Sequence, residues 1–174
     1  MASNPQRRIT LGPDGVVCKE AELSGDITFG SRCIVHPGAR IVAEGGPIVM
    51  GDGNLIKEGA TIINKKREDS QQPVLIIGNG NVFDIKSYCS ASIVGNNNTF
   101  EPCCRVNEYV TVTEDCVIGA GCTLSGREEL PRGTVVYGSE HSRCVRPKSS
   151  STQTSQQLTM LAKVLPNYHK LVKS

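Results

Sequence analysis

From Leu11 to Ile41 an aliphatic or aromatic side chain recurs every six residues, at Leu11, Val17, Leu23, Phe29, Val35 and Ile41. Four residues after each of the first five comes a side chain of small or modest size: Gly15, Ala21, Ile27, Cys33 and Ala39. A period of six fits neither the 3.6-residue helix nor the two-residue alternation of an antiparallel sheet. It is the hexapeptide ruler of a parallel β-helix, in which three hexads make one triangular coil and coils stack on one another. The fold class expected is all-β, a solenoid of six full coils and a partial seventh.

The ruler can be followed along the chain. VAEGGP (42–47) inserts three residues as a bulged corner, after which Met50, Ile56 and Ile62 resume it with Asn54 and Ala60 in small slots. NKKREDSQQP (64–73) is polar and aperiodic and reads as a loop thrown out from a corner. The repeat returns at Ile77, Phe83 and Cys89, slips by one residue to Val94, and runs through Phe100, Val106, Val112, Ile118, Leu124, Leu130 and Val136. Folded into triangles, the first face collects Leu11, Phe29, Met50, Ile77, Val94, Val112 and Leu130. The second collects Val17, Val35, Ile56, Phe83, Phe100, Ile118 and Val136, and the third Leu23, Ile41, Ile62, Cys89, Val106 and Leu124. Phe83 and Phe100 are thereby stacked one strand apart, about 4.8 Å. The blocks GDGN, GNGN and GNNN put Asn54, Asn81 and Asn98 in register as an internal ladder, at corners whose glycines suit positive φ.

Three segments are expected: a β-helix over 9–138 with the loop insertion at 64–73, a polar linker over 139–153, and an amphipathic helix over 154–173. Thr154–Gln157 matches a capping box, and Leu158, Leu161, Leu165, Tyr168 and Val172 form one apolar stripe. Pro166 should break or kink that helix near its middle. The stripe serves either a face of the β-helix in cis or a partner.

Composition narrows the function classes. The chain has 174 residues, no Trp, 4% aromatics and 18 Gly, which suits a narrow interior with frequent turns. Beyond Gly138 six basic residues face the single acid Glu140, so a basic tail follows a mildly acidic body. The charges are sparse and lack interleaved aromatics, so nucleic acid is not expected as a partner. Residues 1–10 carry no apolar run of a signal peptide, and no stretch is apolar enough to span a bilayer, so direct membrane insertion is not expected either. Cys33, Cys104, Cys116 and Cys122 take small inward slots and Cys89 a large one, which reads them as buried thiols rather than a disulfide framework.

Hexapeptide β-helices are left-handed in the known families, and most are acyltransferases or zinc carbonic anhydrases. Both chemistries use histidine. Of the three here, His36 sits at a corner with its side chain expected outward, His141 in the polar tail and His169 on the C-terminal helix. No carboxylate is spaced to orient any of them. GDGNLIKEGATII (51–63) and IGNGNVFDIKSYCSA (77–91) resemble the zinc-binding stretches of the γ-class carbonic anhydrases, but the ligand positions hold Ile63, Ile85 and Ser90. Catalytic residues, metal ligands and cofactors are therefore expected to be none. The alternative is a homotrimeric hexapeptide enzyme, an acyltransferase or carbonic anhydrase, with His36 as base.

Residues 24–64, the GNGNVFDIKSYCSA coil, LPRGTVVYG (130–138) and LPNYHKL (165–171) resemble the left-handed β-helix subunits at the pointed end of dynactin. The resemblance implies a non-enzymatic scaffold subunit that supports dynein–dynactin motor activity and cargo targeting. It implies a heterodimer with dynactin subunit 5, with dynactin subunit 4 and the pointed-end actin-related protein nearby. It also implies a cytoplasmic, microtubule-associated location that includes centrosome and kinetochore. Partner contact is expected from Lys65, Lys66 and Arg67 of the loop and from Leu158, Leu161, Leu165 and Tyr168 of the helix.

Overall fold

The computed structural model describes residues 7–68, 73–147 and 152–173. Twenty-one short strands are described, arranged as three sheets of seven, eight and six strands, and one helix, Thr152–Tyr168. Within each sheet every strand pairs in parallel with its counterpart one coil away, apart from one antiparallel strand described below. Each coil runs through the three sheets in turn, so these form the faces of a triangular prism of about seven coils.

The registers reproduce the second and third columns expected from spacing, and the first from Met50 onward. On face I, Met50, Ile77, Val94, Val112 and Leu130 lie opposite one another in successive strands. On face II the register runs Val17, Val35, Ile56, Phe83, Phe100, Ile118, Val136. On face III it runs Leu23, Ile41, Ile62, Cys89, Val106, Leu124. These side chains fill the prism and are buried throughout. Burying each one contributes about 1.5–3 kcal/mol, and the stacked columns supply that at every coil. Phe83 and Phe100 stack with centroids 4.6 Å apart and planes 10° from parallel.

Within the prism the asparagines close a ladder. The Asn81 amide N–H and its Nδ2 both donate to Asn54 Oδ1, at 2.9 and 3.1 Å. Asn81 Oδ1 accepts from the Asn98 amide, and Asn98 Oδ1 from the Cys116 amide. The turn feeding the ladder recurs in every coil, with positive φ at Asp14, Arg32, Gly53, Gly80, Asn97, Asp115 and Gly133. The left-handed turn is a property of the corner. Glycine meets it in only three of seven coils, and Asn97 rather than a glycine precedes Asn98.

Three expectations about boundaries change. Asn64, read as the first loop residue, ends a strand (Thr61–Asn64) and is buried. Its Nδ2 donates to the carbonyls of Gly46, Pro47 and Pro73, so one side chain pins both ends of the insertion to the bulged corner. The corner must be glycine there, because a Cβ at Gly45 would collide with the Lys65 carbonyl.

The 139–153 stretch, expected to be linker, contains a strand, Ser142–Val145, that pairs antiparallel with Thr134–Tyr137. The last coil has an unpaired edge, and the chain folds back to satisfy it. The helix also departs from 154–173. It starts at Thr152, so Thr154 lies inside it, and the Thr154 side chain of the expected capping box lies outside the described residues. It ends at Tyr168, which puts Pro166 in its last turn rather than its middle. Beyond it the chain is extended. Leu171 bridges Cys18 antiparallel, the Lys19 amide donates to the Lys170 carbonyl, and the Val172 amide to the Val17 carbonyl. Face II is thus closed by an antiparallel segment at both ends of the prism.

Candidate docking surfaces

With the interior filled by side chains, any site must lie on the outward faces, corners or ends. Face II is covered. Its outward row Val16, Ile34, Leu55 and Val82 is apolar and packs with Cys18 against Leu158 and Leu165 of the helix, with Leu161, Ala162 and Leu171 at the margin. The signal was present in the sequence, since one residue before each column position of four successive coils is aliphatic. The helix is held further by Arg32 Nη2 donating to Thr159 Oγ1 at 3.4 Å. The cis alternative for the stripe is therefore the one realised. Leu158 and Leu165 are spent on the chain's own prism, and Tyr168 is left facing solvent.

Face III is polar. Its outward row is Glu22, Arg40, Thr61, Tyr88, Arg105 and Thr123. Arg40 Nε is 3.2 Å from Glu22 Oε1, and the Arg105 guanidinium lies 4.3 Å from the Tyr88 ring centroid. The base of the inserted loop folds onto the corner beside this face. Lys65 Nζ is 3.4 Å from Glu108 Oε2 and also lies over Tyr88, while Arg67 Nη2 donates to the Glu108 carbonyl at 2.9 Å. Arg67 and Arg127 both approach the Tyr109 ring, at 5.8 and 4.5 Å. The Tyr88 side chain, and after it Glu108, holds the Lys65 ammonium above its ordinary value. Glu108 is held low, by its own backbone amide first and then, against the cost of burial, by Lys65. Of the basic trio expected to meet a partner, Lys65 and Arg67 are engaged with their own corner and Lys66 is exposed.

The histidines change the sequence reading. His36 is buried, and its Nδ1 lies 2.6 Å from Oε1 of the exposed Glu58. Stacking by one coil brings together residues 22 apart in sequence, which a search for neighbouring carboxylates does not detect. Burial opposes ionisation of Glu58, but its own backbone amide and then His36 outweigh this and hold the carboxyl below its ordinary range. His36 Nε2 is sealed from solvent and makes no hydrogen bond. His169 Nδ1 lies 3.6 Å from Glu20 Oε1, where the C-terminal segment meets the first coil.

The positions resembling zinc ligands are dispersed in character. Ile63 is half-buried beside its strand partner Val42, Ile85 is exposed, and Ser90 is buried with Oγ 3.4 Å from the Val106 carbonyl. Among the described residues no three His, Cys, Asp or Glu side chains converge as a metal site. No described helix is long and apolar enough to cross a membrane. All eight cysteines are free and six are buried. Burial raises the Cys18 thiol to about 11, with Glu20 and Glu58 adding to the shift, and raises Cys89 to about 12. Neither thiol is poised as a nucleophile.

Comparison with known proteins adds sequence likeness to this geometry. The chain is 43% identical to the dynactin subunit 6 of Nematostella vectensis, over 99% of this chain and 97% of that protein. It is 44% identical to the dynactin subunit 6 of Xenopus tropicalis, over 98% and 88%. No protein-family model matches. Among solved structures it resembles a hexapeptide transferase family protein from Anaplasma phagocytophilum, at a TM-score of 0.65 and 12% identity over 92% of both chains. That likeness is one of fold.

Proposed function

The chain belongs to the dynactin subunit 6 family, and from that membership we propose that it acts as a non-enzymatic scaffold subunit in dynactin's pointed-end complex. The observation that carries the reading is identity above 40% along nearly the whole chain, helix and tail included. In this role it pairs with dynactin subunit 5 beside subunit 4 and the pointed-end actin-related protein. It supports dynein–dynactin transport and cargo targeting in the cytoplasm, on microtubules and at centrosome and kinetochore. Its working division is the β-helix of residues 9–138 with the inserted loop, and a C-terminal arm that packs on it. Lys66 and Tyr168, exposed on loop and helix, are the contact residues we retain from the sequence reading.

One observation favours the enzymatic alternative, the His36–Glu58 contact, because a carboxylate beside an imidazole is the orienting half of a general base. The other half is missing, since the Nε2 that would face a substrate is sealed. The prism offers rigid flat faces and ends that pair with the chain's own segments, which suits a building block.

The test is affinity purification of the tagged full-length chain from its own cells, with mass spectrometry and native sizing. The expected result is recovery in a megadalton particle containing dynactin's actin-related filament. A lone homotrimer would overturn the reading, and acyl transfer abolished by His36→Ala would establish the alternative.

A further inference from the structure

The first coil closes its sheets unequally. On face II the C-terminal segment covers the end strand, with the Val172 amide donating to the Val17 carbonyl. On face I the end strand is Arg8–Thr10, the last member of its sheet, and no described residue pairs with its outer edge. The Arg8 amide donates up the stack to the Gly25 carbonyl, and the Thr10 carbonyl accepts from the Phe29 amide. Backbone groups alternate in direction along a strand, so the N–H and C=O of Ile9 face out of the stack. Between this edge and the C-terminal segment lies a cleft of about 590 Å³, lined by Arg7, Ile9, Lys19, Val172 and Lys173. Ile9 and Val172 are half-buried against the end of the core and form an apolar floor. Arg7, Lys19 and Lys173 are exposed and form a cationic rim. Among the described residues no carboxylate lines the cleft, and the neighbouring Glu20 lies 3.6 Å from His169.

We propose that this cleft binds an extended acidic segment of another protein, which adds a strand to the Ile9 edge. The inference stands on the first coil and does not depend on the subunit reading above. Three features select this occupant. The outward N–H and C=O of Ile9 offer main-chain hydrogen bonds that an extended backbone takes up in register. Apolar side chains pointing inward from such a strand cover Ile9 and Val172, which removes the half-exposed end of the core from water. Carboxylates flanking them meet Arg7, Lys19 and Lys173, a rim of one sign that attracts an acidic chain and repels a basic one. A lipid surface engages the cations and leaves the strand edge unused.

The probe is a phage-displayed library of random short peptides, selected on the full-length chain. Both ends of the described chain line the cleft, so the protein carries no terminal tag and is immobilised through its exposed Cys103 and Cys144. Selection should enrich peptides in which Asp or Glu flanks Val, Ile or Thr. The affinity of a selected peptide, read by fluorescence anisotropy, should fall as salt is raised. Arg7→Glu/Lys173→Glu should weaken it by about tenfold or more, with melting near wild type because both side chains are exposed. Ile9→Pro deletes the outward donor, leaves the Arg8 and Thr10 bonds in place, and should weaken binding as well. Lys66→Glu/Lys163→Glu, the same change of charge on loop and helix, should alter neither selection nor affinity. If wild type enriches no acidic peptides, or the Arg7/Lys173 variant binds them equally, the proposal is overturned. If Ile9→Pro folds and binds as wild type, charge alone holds the peptide and the added strand is overturned. If phosphatidylserine vesicles bind through these cations while no peptide is selected, the cleft is a membrane contact and the proposal is overturned.

Discussion

Asn81 is bonded in both directions along the stack, to Asn54 below, to the Asn98 amide above, and through Nδ2 to the Gly95 carbonyl. Replacing it with Ala removes all of these at once and leaves buried amide and carbonyl groups without partners. Each such group costs about 1–3 kcal/mol, so Asn81→Ala should lower stability in urea unfolding by about 2–4 kcal/mol after partial relaxation. Leu would fill the slot and leave the same groups unpaired, so it should not rescue. Glu58 gives a test of different kind. Its carboxyl is held low in the folded chain, so the stabilisation is present above its unfolded value near 4.5 and is lost as pH falls through the lower folded value. Glu58→Gln should be less stable than wild type at pH 7, and the gap should close on acidification below pH 4.5. A gap independent of pH would show that packing, not the charge of the Glu58 carboxylate, sets the effect.

Among the elements, the C-terminal arm shows most clearly how a surface element can belong to the core. An exposed 17-residue helix is of marginal stability by itself, and here it gains its stability from Leu158 and Leu165 on the apolar outward row. Leu165→Ala should cost about 2–3 kcal/mol, toward the low end for a buried leucine because the site lies at the margin of the fold and can collapse. Amide exchange should localise the damage. The Lys19 amide, which donates to Lys170, should lose protection together with the helix, while the Tyr88–Cys89 strand on face III keeps its own. If the strand at Val16–Val17 stayed fully protected after this change, the arm would not be the cap the hydrogen bonds indicate.

For the whole molecule, the consequence of closing face II at both ends is directional. Antiparallel segments at Ser142–Val145 and around Leu171 occupy the edges on which further strands of face II could add. Addition of a further strand at either end of that sheet is blocked. Of the flat faces, one is lined with charge, one already wears the helix, and the third leaves Val49, Ile76 and Ile93 exposed at the centre of its outward row.

The sequence by itself determined the solenoid: the period of six, the three inward columns, the phenylalanine stack and the asparagine ladder were all legible, because each depends on spacing along one chain at constant rise. The apolar outward rows were equally legible in principle. Only the tertiary structure decided what covers them, that His36 is buried against Glu58 one coil away, that Asn64 clasps the inserted loop, and that the tail leaves its helix to pair with Cys18. Each of these joins positions whose separation is set by loops and arms outside the repeat. Local periodicity carries no information about where such segments return, and burial of an exposed edge or row is what brings them back.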